Sequence, residues 1–119
     1  LLNDDQPYMV QTRSGKPMVS VSYTSEVNDF SFLRQGLGAE SGLEMFKEQF
    51  DWLYEESATT GRFMNIGLHP HVIGQPYRVR AIRDFIRYAK TFDDVWFATR
   101  EEIAEWYLEN QGDHIPASS

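Results

Sequence analysis

Apolar and polar residues alternate from Phe63 to His69, with Phe63, Asn65, Gly67 and His69 on one face and Met64, Ile66 and Leu68 on the other. The second face is apolar and calls for a layer of helix. The first is small and polar and carries an imidazole to the C-terminal end of a predicted strand. His71 follows two residues later, so both rings share a direction if extended geometry persists through Pro70. Gly74 and Pro76 break the pattern, and a helix is expected from about Tyr77 to Lys90 with Val79, Ile82, Ile86 and Ala89 inward. A strand that delivers a histidine to a loop just before a helix is where α/β folds place chemistry.

The same periodicities organise the rest of the chain. Tyr8–Thr12 reads as a short strand and Ser14-Gly15-Lys16-Pro17 as a turn. Met18–Tyr23 then alternates cleanly, with Val19, Val21 and Tyr23 on one face and Ser20 and Ser22 on the other. This strand empties into the polar loop Thr24–Asp29, and a Gly-rich connection runs from Gln35 to Glu40. Ser41 and Glu44 have the spacing of a capping box, and Leu43, Phe46, Phe50 and Leu53 mark the inner stripe of a helix to about Ser57. Val95–Ala98 reads as a short buried strand. Thr99 and Glu102 form a second capping box, opening a helix that buries Ile103, Trp106 and Tyr107. The stretch 111–119, which includes His114, is expected to fray. Strands alternating with helices predict an α/β fold with a parallel sheet, one domain over residues 1–119, and neither internal repeat nor linker.

Composition narrows the partners. A chain of 119 residues that is 41% hydrophobic can bury one core. A net charge of -7 argues against nucleic acid and anionic membrane as partners. With no cysteine, disulfides and thiolate metal sites are excluded. No apolar run approaches the ~18 residues of a membrane span and no signal-peptide pattern opens the chain, so a cytoplasmic location is expected. The chain starts at Leu1, not at a methionine, and reads as part of something longer.

In a parallel sheet three polar loops would meet at the strand C-terminal ends: Glu26, Asn28 and Asp29; His69, His71 and Arg78; and Asp4-Asp5. A carboxylate beside an imidazole fixes the histidine tautomer and suits the ring to be a general acid. Two histidines two apart with an acid could instead hold a metal, but no third ligand is evident. Neither a nucleophile elbow nor a Gly-rich phosphate loop is present, and Gly36-Leu37-Gly38 lacks the preceding strand that a dinucleotide fingerprint requires.

Leu68 through Arg78, followed by Val95-Trp96-Phe97-Ala98-Thr99 and Ile103-Ala104-Glu105-Trp106, resembles the C-terminal part of polysaccharide deacetylase-like (NodB-homology) proteins. The nearer likeness is to the branch of allantoinase-like and cyclic imide hydrolases, which Tyr23–Asp29 and Asn3–Tyr8 also resemble. The resemblance implies the C-terminal part of a distorted (β/α) barrel, with parallel strands alternating with helices, that hydrolyses non-peptide carbon–nitrogen bonds. Within it His69 matches the general acid of the last motif. Asp4 or Asp5 falls near the place of the fourth motif, whose acid orients the other residues.

What the resemblance leaves out is as informative. The paired aspartates of the family's first motif, its His-x-x-x-His metal motif and its arginine-containing third motif have no counterpart here. This implies only the C-terminal half of the barrel. A divalent metal such as zinc is then allowed in the intact protein, with ligands upstream and none in this chain. The resulting expectation is ring-opening of a small cyclic amide or imide, with His69 as acid and Glu26, Asn28, His71 and Arg78 contacting the small-molecule substrate. The rivals are a carbohydrate N-deacetylase, in carbohydrate metabolism, and a non-catalytic half-barrel. On any of these readings the isolated chain should be inactive, and should pair with a complementary N-terminal half or with itself.

Overall fold

A computed structural model describes residues 4–112. Tyr8–Gln11 (β1) and Pro17–Ser20 (β2) pair antiparallel, Tyr8 opposite Ser20 and Gln11 opposite Pro17. Gly15, at φ +75°, closes the turn, and the Gly15 N–H donates to the Thr12 carbonyl at 3.0 Å. The first two strands therefore form a hairpin, which corrects the parallel arrangement expected of them.

A second correction concerns the stretch from Met64 to Leu68. It runs parallel to Ser22–Asp29 but shares only one bridge with it, Asn28 to Gly67. There the Gly67 N–H donates to the Val27 carbonyl at 3.1 Å and the Asp29 N–H to the Gly67 carbonyl at 2.9 Å. Nearer the start, the Asn65 side chain stands in for the missing rungs. Its Oδ1 accepts from the Thr24 N–H at 3.3 Å and its Nδ2 donates to the Ser22 carbonyl at 2.8 Å. Parallel strands persist where neighbours cover both faces, and here only the end beside the histidine keeps backbone rungs. Val95–Ala98 forms no strand either, and Trp96 and Phe97 are exposed. The described residues are a mixed α/β unit without a closed barrel.

Five helices complete the unit: α1 (Phe30–Gln35), α2 (Ala39–Glu56), α3 (Pro70–Ile73), α4 (Val79–Ala89) and α5 (Arg100–Asn110). Neither α1 nor α3 was expected. The capping box at Thr99 forms: its side chain accepts from the Glu102 N–H at 3.2 Å, and Glu102 Oε2 accepts from the Thr99 N–H at 2.7 Å. The box at Ser41 does not, because α2 begins at Ala39 with Gly38 as its N-cap. Ser41 sits inside the first turn so that buried Gly42 can face α1. A Cβ on Gly42 would lie 2.1 Å from the Phe32 ring.

The core lies between α2 and α4. Phe46, Phe50 and Leu53 are buried as the periodicity predicts, and Phe46 and Phe50 share a core cluster with Ala81, Phe85 and Ala89 of α4. Phe46 and Phe50 stand 5.7 and 5.8 Å from Phe85 between ring centres, and Phe32 stands 5.9 Å from Phe46. The inward face of α4 is thus rotated from the expected one, leaving Val79 and Ile86 exposed and Ile82 half-buried. On α5, Tyr107 is buried and Trp106 is exposed. Residues 113–119, with His114 and most of the tail expected to fray, lie outside the described residues. Among the described residues no helix is long and apolar enough to cross a membrane.

Two phenol–carboxylate contacts tie α2 to its neighbours. The Tyr88 hydroxyl donates to Asp51 at 2.5 Å, and the Tyr54 hydroxyl donates to both oxygens of Asp94 at 2.9 and 3.1 Å. The hydrogen bond to a carboxylate, then loss of water and the carboxylate's charge, hold both phenols above the ordinary tyrosine value of 10.0. A pKa raised on folding stabilises the fold fully below the unfolded value, and that contribution disappears as pH rises through the folded one. Stability should therefore fall at alkaline pH, with Tyr54 and Tyr88 ionising after tyrosines that lack such bonds. Spectrophotometric titration of Asp51→Asn and Asp94→Asn checks this, since each should return one phenol to the ordinary range.

Candidate active site

The extended run ends at His69, whose φ of -122° and ψ of 120° are still strand-like, and Pro70 opens α3 at its first helical position. His69 is therefore pinned at the junction of two geometries. The Val72 and Ile73 N–H groups, at 2.8 and 3.0 Å, both donate to its carbonyl. Across from it, Asp29 immediately precedes α1, makes no side-chain cap to it, and is fully buried.

The two residues meet twice. The His69 backbone N–H donates to Asp29 Oδ2 at 2.6 Å, and His69 Nδ1 lies 2.7 Å from Asp29 Oδ1. An ionised carboxylate only accepts, so Nδ1 must carry the proton. That leaves Nε2 as the working atom of a ring whose side chain is one-third exposed. The aspartate thus sets position, tautomer and counter-charge together. Phe30 covers one flank of the imidazole with ring centres 4.2 Å apart, and the His71 ring stands 5.9 Å from His69 and 6.0 Å from Phe30. His71 is exposed on α3, because the extended geometry does not survive Pro70, yet the helical turn keeps the two rings neighbours.

The other predicted site residues divide. Glu26 is exposed at the rim of the same loop, its carbonyl accepting from the Ser31 hydroxyl at 3.1 Å. Asn28 is buried with both ends of its amide engaged, Nδ2 donating to the Tyr23 phenol at 2.6 Å and Oδ1 accepting from the Phe30 N–H at 3.0 Å. Arg78 is half-buried, its guanidinium 4.6 Å from the centre of the Tyr77 ring.

Asp4 and Asp5 sit at the far end of the 63–69 segment. Asp4 Oδ1 accepts from the Asp5 N–H at 2.8 Å, the Asp5 carbonyl accepts from the Phe63 N–H at 2.8 Å, and an Asp5 carboxylate oxygen lies 3.7 Å from Arg62 Nε. Six residues of extended chain span about 20 Å, so the carboxylate beside His69 is that of Asp29 and not one of this pair. Sequence reading placed Asp29 in the right loop without assigning it a role. Its signal was position, the residue that ends the polar loop beside the histidine's own strand end.

Among the described residues no three histidine, aspartate or glutamate side chains converge as a metal site requires. Two clefts lie elsewhere, one between α2 and α4 lined by Leu43, Arg80 and Asp84 and one along α2 lined by Leu43, Lys47 and Asp51, and neither includes His69.

No family model matches the chain. It is 33% identical over 114 residues to a Schizosaccharomyces pombe protein described as a "Putative polysaccharide deacetylase", covering 87% of this chain and 36% of that one. Two solved structures superpose on it. The "probable Polysaccharide deacetylase" from Pseudomonas aeruginosa PAO1 is 43% identical with a TM-score of 0.82, over 90% of this chain and 37% of the other. Puue allantoinase is 38% identical with a TM-score of 0.85, over 90% of this chain and 36% of the other. In sequence and in backbone the chain is similar to polysaccharide deacetylases and to an allantoinase, and it spans little more than a third of the length of each.

Proposed function

We propose that this chain is the acid-bearing, C-terminal part of a barrel hydrolase that cleaves carbon–nitrogen bonds other than peptide bonds. The observation that carries the reading is the double contact of buried Asp29 with His69, which engages Nδ1 and leaves Nε2 on a side chain that is one-third exposed. As the bond breaks, protonated Nε2 gives its proton to the departing nitrogen. The ring, cationic before the transfer, becomes neutral and keeps its Nδ1 proton hydrogen-bonded to Asp29, and water returns a proton to Nε2 for the next cycle. His71 and Glu26 stand at the rim, where they would meet the rest of the substrate. The base that activates water, and the ligands of any divalent metal, would come from parts of the protein beyond this chain. Such a metal would polarise the scissile carbonyl.

The substrate favoured is a small cyclic amide or imide, opened so that the leaving nitrogen stays tethered. Support comes from the His69-Pro70-His71-Val72-Ile73-Gly74-Gln75-Pro76 loop and the backbone likeness to an allantoinase. Carbohydrate N-deacetylation is the second reading, supported by the names of the yeast and Pseudomonas relatives. Supplied with allantoin, a cyclic imide and chitin oligomers in turn, the intact protein should open the rings and leave the acetylated sugars untouched. Release of acetate from chitin oligomers without ring opening would reverse the order.

A further inference from the structure

We propose that Tyr23 is a positioning residue for the acid pair, acting through Asn28 and the glycine at position 67. The inference rests on His69 being the working acid. Asn28 Oδ1 accepts from the Phe30 N–H at 3.0 Å, a contact only the oxygen can make, so the amide cannot be flipped. Its Nδ2 must then face the phenol, and the Tyr23 oxygen must be the acceptor at 2.6 Å. This bond sits directly over the Asn28–Gly67 bridge, the one place where the loop of Asp29 and the segment of His69 share backbone rungs.

Gly67 is what lets the bond form there. A Cβ at that position would stand 2.2 Å from the Tyr23 oxygen and 2.4 Å from Asn28 Nδ2. Asp29 is the residue after Asn28, and His69 lies two beyond Gly67, so the phenol–amide bond fixes the spacing at which carboxylate and imidazole meet. Arg100, at the start of α5, lies with its guanidinium carbon 5.5 Å from the centre of the Tyr23 ring, and its Nη2 is 3.4 Å from Asn65 Oδ1. The phenol is thus held from behind by an element that does not touch the pair. A chain of contacts runs from α5 through Tyr23 and Asn28 to Asp29 and His69.

The test uses the intact, active protein with its histidines labelled with nitrogen-15. The proton on His69 Nδ1, hydrogen-bonded to a buried carboxylate, should give a downfield NMR signal that His69→Asn removes and so assigns. Tyr23→Phe keeps the ring and its packing and deletes only the acceptor. We expect that signal to weaken or vanish, kcat to fall about ten-fold as the acid loses alignment, KM to hold, and the limb of the pH–rate profile on which activity falls with rising pH to move. Gly67→Ala, which forces phenol and amide apart by volume, should do the same. The double variant should be no worse than the poorer single one, because both break one contact.

An unchanged Nδ1 signal with unchanged kcat in Tyr23→Phe would overturn the proposal. So would equal loss of all folded signals, which marks a merely structural residue. If His69→Asn instead remains active, the acid assignment fails, while the signal in Tyr23→Phe still decides whether Tyr23 positions the pair.

Discussion

Replacing His69 should cost between about 10² and 10⁴ in turnover while substrate affinity stays within about ten-fold, because a general acid contributes in the transition state and little in the ground state. The choice of variant matters. Asp29 is fully buried and spends one oxygen on the imidazole and the other on the His69 N–H. His69→Ala leaves the first oxygen a buried charge without its donor, which costs about 1–3 kcal/mol or more in stability. His69→Asn offers an amide N–H toward that oxygen and separates lost chemistry from lost fold. Asp29→Asn approaches the same loss from the other side. Its amide can present only one acceptor to the two donors of His69, so either the backbone contact or the ring tautomer fails. Steady-state kinetics with thermal unfolding of the three variants checks this. Near-normal turnover in His69→Asn would remove the acid assignment.

How much of this was legible in the sequence depends on how local each signal is. The capping box at Thr99 and the stripe of Phe46, Phe50 and Leu53 depend on neighbours within two turns, and both are present in the fold. On α4 the apolar residues cover two adjoining faces. Periodicity pointed to Val79, Ile82, Ile86 and Ala89, of which Ala89 is buried, and the packing of α2 chose Ala81 and Phe85 beside it in place of Val79 and Ile86. Ser41 and Glu44 had the spacing of a cap, but close approach of Phe32 to Gly42 required helix at that point. His69 was legible as the end of an alternating run. The role of Asp29 was not, since it rests on a contact across 40 residues and on complete burial. Asn65 reads as a polar strand position, and nothing local reveals that its amide bridges Ser22 and Thr24.

The second large effect concerns the chain on its own. Phe46 and Phe50 find cover within it, from α4 and α1, but Trp96 and Trp106 are 57% and 54% exposed, and Phe97, Leu68, Val79 and Ile86 are open as well. On the reading proposed above, these residues are expected to meet other parts of the barrel. The radius of gyration tells the same story: 16.1 Å, against about 13.5 Å for a compact domain of this length. The polar face expected to meet water is covered in part, with Ser22 and Gly67 buried and Ser20, Asn65 and His69 half-buried, because the 22–29 and 63–69 segments lie against each other. The open surface is therefore the apolar one, as the outside of a larger core would be. Coverage of 36–37% of its relatives is what such a piece would give.

The isolated 119-residue chain should accordingly be inactive and associate with itself or with a complementary part of the barrel. Size-exclusion chromatography with light scattering, run on the same fractions as an assay with allantoin and a cyclic imide, measures both properties together. The expected result is a species heavier than 13.8 kDa with no hydrolysis. A well-folded monomer that opens either ring would contradict the reading of this chain as the acid-bearing part of a larger enzyme.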